Sequence, residues 1–93
     1  MKIFDVWAEW CPPCKKFGPV FDRVSKEFPD VEFVKVNADS EEGSDFLNLY
    51  GIRGIPTILL FDSQENIVFQ HAGILPEGSL RELVQFHRSR DGK

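Results

Sequence analysis

Two cysteines, Cys11 and Cys14, stand three residues apart in the run Trp10, Cys11, Pro12, Pro13, Cys14, and they are the only two in the chain. Thiols at that spacing can do two-electron chemistry. With Cys14 in the first turn of a helix, an i,i+3 pair brings the two Cα atoms to about 5 to 6 Å, a separation that a disulfide spans. The pair can then open and close without rebuilding the fold around it. A thiolate at Cys11 would face the unpaired N–H groups and positive end of such a helix, which favours the charged form and draws its pKa below the free value of about 8.5. Nucleophilic attack near neutral pH follows. Two plainer readings stand beside this one: an inert disulfide, and half of a metal site. Zinc needs more ligands than two thiols, and the only histidines, His71 and His87, lie too far off in sequence for a finger pattern; no histidine follows Cys14 as haem attachment requires.

The elements that must position the pair are legible on either side of it. Lys2 to Ala8 is short, rich in β-formers and apolar on both parities, as a strand covered on both faces would be. Pro12 and Pro13 suit a helix start, where a missing N–H is no loss. Phe17, Val20, Phe21, Val24 and Phe28 then recur at helical spacing. Pro19 falls inside that helix and predicts a kink. After Pro29 and Asp30, Val31 to Asn37 alternates as a second strand. Asp39 and Glu42 read as a capping box opening a helix from Glu41 to Tyr50, with Phe46, Leu47 and Tyr50 inward and Gly51 as its stop. Thr57 to Phe61 is a third strand. Ile67 to His71 is a fourth, paired with it as a hairpin across the polar turn Asp62 to Asn66. Pro76 opens a last helix with Leu80, Leu83, Val84 and His87 on one face, and residues 88–93 read as a frayed polar tail. The order βαβαββα predicts an α/β fold, a four-stranded mixed sheet flanked by three helices, as one domain over residues 1–93. The cysteines then sit at the C-terminal end of the first strand, where open α/β sheets usually bind ligands.

Composition narrows the function classes. Hydrophobic residues are 42% and nine are Phe, so a core can form without disulfide staples or a structural metal, leaving the cysteines free for chemistry. Fifteen acidic against eleven basic residues give a net charge of -4, which repels a phosphate backbone and argues against nucleic acid as a partner. No run approaches the roughly 20 apolar residues of a membrane span, and the strand pattern that follows Met1 is not a signal peptide. A cytoplasmic location is the expectation.

Two motifs together resemble the thioredoxin family. Val6, Trp7, Ala8, Glu9, Trp10, Cys11 with Pro13, Cys14 and Lys15 match its active-site signature, and Tyr50, Gly51, Ile52, Arg53, Gly54, Ile55, Pro56, Thr57 match its second one. A Cys-x-x-Cys beside a βαβ pattern is itself a recognised mark of this family. The similarity extends from about Ile3 to Phe86.

The resemblance implies a thioredoxin-like fold and a protein-disulfide oxidoreductase. Cys11 would be the attacking thiolate and Cys14 the resolving thiol, the two forming the redox disulfide. Pro56 would be a cis-proline facing that disulfide, and Ile55 and Thr57 beside it would contact a bound peptide. Trp10, Ala72, Gly73 and Ile74 would complete an apolar docking surface. Asp5 matches the family's buried carboxylate, placed to exchange a proton with Cys14, and Lys35 matches the lysine that moderates it. No bound cofactor is implied. Electrons would come from a thioredoxin reductase or a low-molecular-weight thiol and pass to disulfide-containing proteins.

The chain departs from the family pattern twice. Pro12 stands where the family usually has Gly, which resembles tryparedoxins and nucleoredoxins and suggests a related electron carrier as an alternative. The family's leading strand and helix have no counterpart here. The strand from Val31 is expected as a sheet edge, and one sheet face as short of a covering helix, which would suit a monomer, a weak homodimer or a non-catalytic binding subunit.

Overall fold

The computed structural model describes residues 1–91. Its elements are β1 (Lys2–Trp7), α1 (Pro12–Ser25), β2 (Glu32–Asn37), α2 (Glu41–Tyr50), β3 (Thr57–Phe61), β4 (Ile67–Ala72) and α3 (Glu77–Arg90), the expected βαβαββα order. The strands lie in the order β2-β1-β3-β4, with β1 parallel to β2 and antiparallel to β3, and β4 antiparallel to β3. The sheet is therefore mixed, and β2 is an edge as expected.

Alternation along the strands sorts side chains onto two faces. Ile3, Ile58 and Leu60 meet Phe17, Phe21 and Val24 of α1 and Leu80 and Val84 of α3. Val6, Leu59 and Phe61 face the other way, against Phe46, Leu47 and Tyr50 of α2. Two helices thus cover one face and a single helix covers the other. Phe4, Val34 and Val36 are left only half-buried. Arg81 of α3 bridges Glu27 at 2.6 Å and Glu77 at 3.2 Å, and Glu77 also holds Arg23 of α1. These exposed pairs register α1 against α3 more than they stabilise the fold.

Three expectations need correction. The first helix stops at Ser25, before Phe28, because the ring of Pro29 disfavours helical geometry at the residue before it. The amides of Lys26, Glu27 and Phe28 instead close short i to i−3 bonds, and Phe28 still reaches the core, 2% exposed. The cap of α2 is Ser40, not Asp39: its Oγ accepts from the Gly43 amide at 2.9 Å and donates to the Asn37 carbonyl at 2.7 Å. The polar tail is helical through Arg90, and Asp91 is tied to Ser63, accepting from its amide at 2.9 Å and from its hydroxyl. The rest of that expected tail, residues 92 and 93, lies outside the described residues. Gly51 does end α2, in the left-handed conformation with φ 64°, and the Ile52 amide closes on Leu47. Among the described residues no helix is long and apolar enough to cross a membrane.

Candidate functional site

The cysteines sit where β1 hands over to α1. Cys11 is the N-cap, in extended backbone (φ −104°, ψ 101°), and Pro12 and Pro13 fill the first two helical positions. Prolines fit there because their fixed φ suits a helix and the amides they lack would have no helical partner. The Cα atoms of Cys11 and Cys14 are 5.2 Å apart, and their sulfurs are bonded. This matches the i,i+3 separation expected from the spacing. The Cys14 amide points back at the Cys11 sulfur, 3.3 Å away. A helix-terminal N–H aimed at sulfur stabilises negative charge on it. Both cysteines are nearly enclosed, 4% and 3% exposed, and pack against Ala8, Trp7, Ala38 and Ile55. Exposure does not distinguish them; the direction of the amide does.

The second sequence motif comes to the same place. The Ile55-Pro56 peptide bond is cis, and the Ile55 carbonyl lies 3.9 Å from the Cys11 sulfur. The Thr57 hydroxyl donates to the Gly54 carbonyl, closing the turn before β3, and the Pro56 carbonyl accepts from the Gly73 amide at 2.8 Å. Gly73 has φ 111°, a backbone region that excludes most other residues. Its neighbours Ala72 and Ile74 are exposed beside it. Trp10 is 66% exposed, and its indole N–H donates to Asp39 at 2.9 Å. A shallow apolar cleft of about 420 Å³ runs from Trp10 and Asp39 to Ile55. Ile55 thus touches Cys11 directly and Gly73 joins that loop through Pro56, while Trp10, Ala72 and Ile74 are exposed. The Thr57 side chain, 2% exposed, is turned inward, so the expected peptide contact by Thr57 is not available.

Asp5 lies beneath it. The residue is 1% exposed and its Oδ1 has no hydrogen-bond partner. Burial pushes its carboxyl up from 3.8 to about 6; the positive charge of Lys35 pulls the other way, and the negative charge of Asp22 adds to the rise. Asp5 and Cys14 line one cleft of about 440 Å³ that also reaches Glu9, Lys15, Gly18 and Lys35. Lys35 pairs in register with Asp5 across β1 and β2, but its ammonium is bound to Asp22 at 2.9 Å.

Two participants escaped the sequence reading. Asp39 was read as a helix cap, but Ser40 takes that place and leaves Asp39 for Trp10. Asp22 carried no signal of its own on the polar side of α1. Gly18, one turn earlier on the same helix face, lies under the lysine, where a Cβ would meet its Nζ at 3.7 Å, an ordinary contact. Among the described residues no three of His, Cys, Asp and Glu converge to hold a metal ion.

Comparison with known proteins agrees with this geometry. A family model described as Thioredoxin matches residues 1–86. Among similar proteins, the "Putative thioredoxin 2" of Streptomyces coelicolor is 39% identical over 89 residues, covering 96% of this chain and 64% of that protein. The thioredoxin of Mycoplasma pneumoniae is 40% identical over 82 residues, covering 88% of this chain and 78% of that protein. The chain thus spans about two-thirds to three-quarters of these relatives. Among solved structures, chloroplastic thioredoxin z superposes with a TM-score of 0.80 at 30% identity, over 95% of this chain and 78% of that one. Oxidised thioredoxin O2 from Arabidopsis thaliana also gives 0.80, at 25% identity, over 91% and 72%. Sequence and architecture agree, and the chain belongs to the thioredoxin family, whose members are thiol-disulfide oxidoreductases.

Proposed function

We propose that the chain reduces protein disulfides through Cys11 and Cys14. The observation that carries this reading is the Cys14 amide directed at the Cys11 sulfur at the start of α1, within a pair already at bonding separation. In the reduced protein the Cys11 thiolate attacks one sulfur of a substrate disulfide. A mixed disulfide forms, and the other substrate sulfur leaves as a thiolate. Cys14 gives its proton to Asp5, directly or through water in the shared cleft, and attacks the Cys11 sulfur. The Cys11–Cys14 bond forms, the second substrate thiolate leaves, and Asp5 returns the proton. Two electrons have passed to the substrate, and a donor dithiol or two equivalents of a monothiol must restore them.

The exposed side chains of Trp10, Ala72 and Ile74, with the half-buried Ile55 and Gly73, support docking of an extended peptide. Trp10, Ala72 and Ile74 supply apolar surface, Ile55 and Gly73 supply backbone, and Pro56 and Thr57 hold the loop in place. Lys35 moderates the charge on Asp5. The donor is a thioredoxin reductase or a low-molecular-weight thiol, the domain needs no cofactor of its own, and the working compartment is the cytoplasm. Pro12 favours a second reading as a tryparedoxin- or nucleoredoxin-like carrier, which differs in donor and substrate rather than in chemistry.

Insulin reduction driven by dithiothreitol tests the proposal. Wild type should accelerate precipitation of the insulin B chain, and Cys11→Ser should not. Equal turnover by wild type and Cys11→Ser would overturn it.

A further inference from the structure

We propose that Asp22 is a positioning residue, whose carboxylate holds the Lys35 ammonium on the surface of α1 and so keeps it from pairing with the buried Asp5 carboxylate. The inference rests on the reading of Asp5 as the proton acceptor for Cys14.

Register makes Asp5 and Lys35 lateral neighbours on the α1 side of the sheet. A lysine beside a buried carboxylate would ordinarily turn onto it. Here the lysine Nζ lies 2.9 Å from both carboxylate oxygens of Asp22, while Asp5 Oδ1 has no partner. The path runs over Gly18, where a Cβ would sit 3.7 Å from Nζ. Gly18 and Asp22 are four apart on α1 and so share one helix face.

Solvent explains which carboxylate wins. The Lys35 and Asp22 side chains are 40% and 58% exposed, so their pairing takes neither charge out of water. Pairing with Asp5 would bury the ammonium beside a residue only 1% exposed. With Asp22 removed, Asp5 is the carboxylate left beside Lys35 in register, and its Oδ1 has no other partner to offset the cost of burial. The other charged groups lining the cleft, Glu9 and Lys15, already hold each other at 3.2 Å, and Cys14, bonded to Cys11, carries no proton in the oxidised protein. The carboxyl of Asp5, raised to about 6 by burial and then by Asp22, is in keeping with this arrangement.

The test is a carbon-13 NMR titration of the Asp5 carboxyl in wild type, Asp22→Asn, Lys35→Met and the double variant. Asp22→Asn should lower the Asp5 pKa by about one pH unit, the effect of a cation brought within pairing distance. In the Lys35→Met background the same change should have less than half that effect, leaving only lost repulsion. Asp22→Glu, which keeps the carboxylate, should restore the wild-type value. An Asp5 titration unmoved by Asp22→Asn would overturn the proposal, as would an equal drop with Lys35 absent. The pair is exposed, so the fold should tolerate every variant. If the NMR shift appears while the pH profile of insulin reduction stays put, Asp22 positions Lys35 as proposed and Asp5 is not the proton acceptor.

Discussion

The Cys14 amide donates to the Cys11 sulfur at 3.3 Å, and it is the first amide of α1 able to do so. Pro12 and Pro13 occupy the two helical positions before it and have no N–H. The next amide, of Lys15, is taken by the Cys11 carbonyl at 3.2 Å. The sulfur at the positive end of this helix therefore meets one donor where a non-proline start could offer more.

Replacing Pro12 with Gly adds a free N–H beside that sulfur and loosens the reduced loop. Both effects favour the dithiol state over the disulfide. The reduction potential of Pro12→Gly should therefore rise, by about 6 to 20 mV for an added dipole contribution of about 0.3 to 1 kcal/mol. Equilibration against a glutathione redox buffer measures it, and a fall in potential would contradict the argument.

Asp5 should make the oxidised protein less stable at neutral pH than in mild acid. Its folded carboxyl titrates near 6 and an ordinary one near 3.8, so the folded state binds the proton more tightly than the unfolded chain. Stability from this group is full below about pH 4, declines as pH rises to about 6, and is then lower by about 3 kcal/mol. Asp5→Asn should remove that decline. Urea unfolding at pH 4 and pH 7 for both proteins checks it, and parallel pH dependences would refute the assignment.

Gly43 should not tolerate a side chain. A Cβ there would lie 1.7 Å from the Asn37 carbonyl oxygen and 2.9 Å from the capping Ser40 Oγ, so Gly43→Ala must displace backbone and disturb the start of α2. A loss of about 3 kcal/mol is expected. Gly78, in the first turn of α3 with nothing within 4 Å of its Cβ position, is the control. There Ala should stabilise the helix by up to about 1 kcal/mol. Thermal melts of the two variants should shift in opposite directions.

Asp39 should matter to docking more than to folding. Its bond to the Trp10 indole is exposed, so Asp39→Ala should cost less than about 1 kcal/mol of stability. A freed Trp10 must be immobilised when substrate docks, which should raise KM for a protein disulfide about threefold with kcat little changed. Steady-state kinetics with insulin decides; an unchanged KM would remove Asp39 from the docking surface.

Local signals in the sequence carried most of the architecture. Gly51 marked the end of α2, the turn residues on either side bounded β3 and β4 to within a residue, and the spacing of Cys11 and Cys14 anticipated their separation. That Cys11 and Ile55 meet was also legible, because the two motifs that hold them are distant in sequence yet belong to one signature. What stayed hidden were choices between competing partners. Asp39 and Ser40 are both good caps, and only the position of Trp10, 29 residues away in sequence, draws Asp39 off. Lys35 has two carboxylates in reach, and only the packing of α1 over β2 shows which it takes. Asp91 seemed part of a loose tail because its acceptor role depends on Ser63, a turn residue 28 positions earlier.

The most direct test of the central claim is to isolate the covalent intermediate. Reduced Cys14→Ser, mixed with insulin, should accumulate a mixed disulfide that peptide mapping by mass spectrometry places at Cys11, while Cys11→Ser should form no comparable adduct under the same conditions. An adduct of equal yield on Cys14 in the Cys11→Ser protein, or none on Cys11 in the Cys14→Ser protein, would contradict Cys11 as the attacking thiolate.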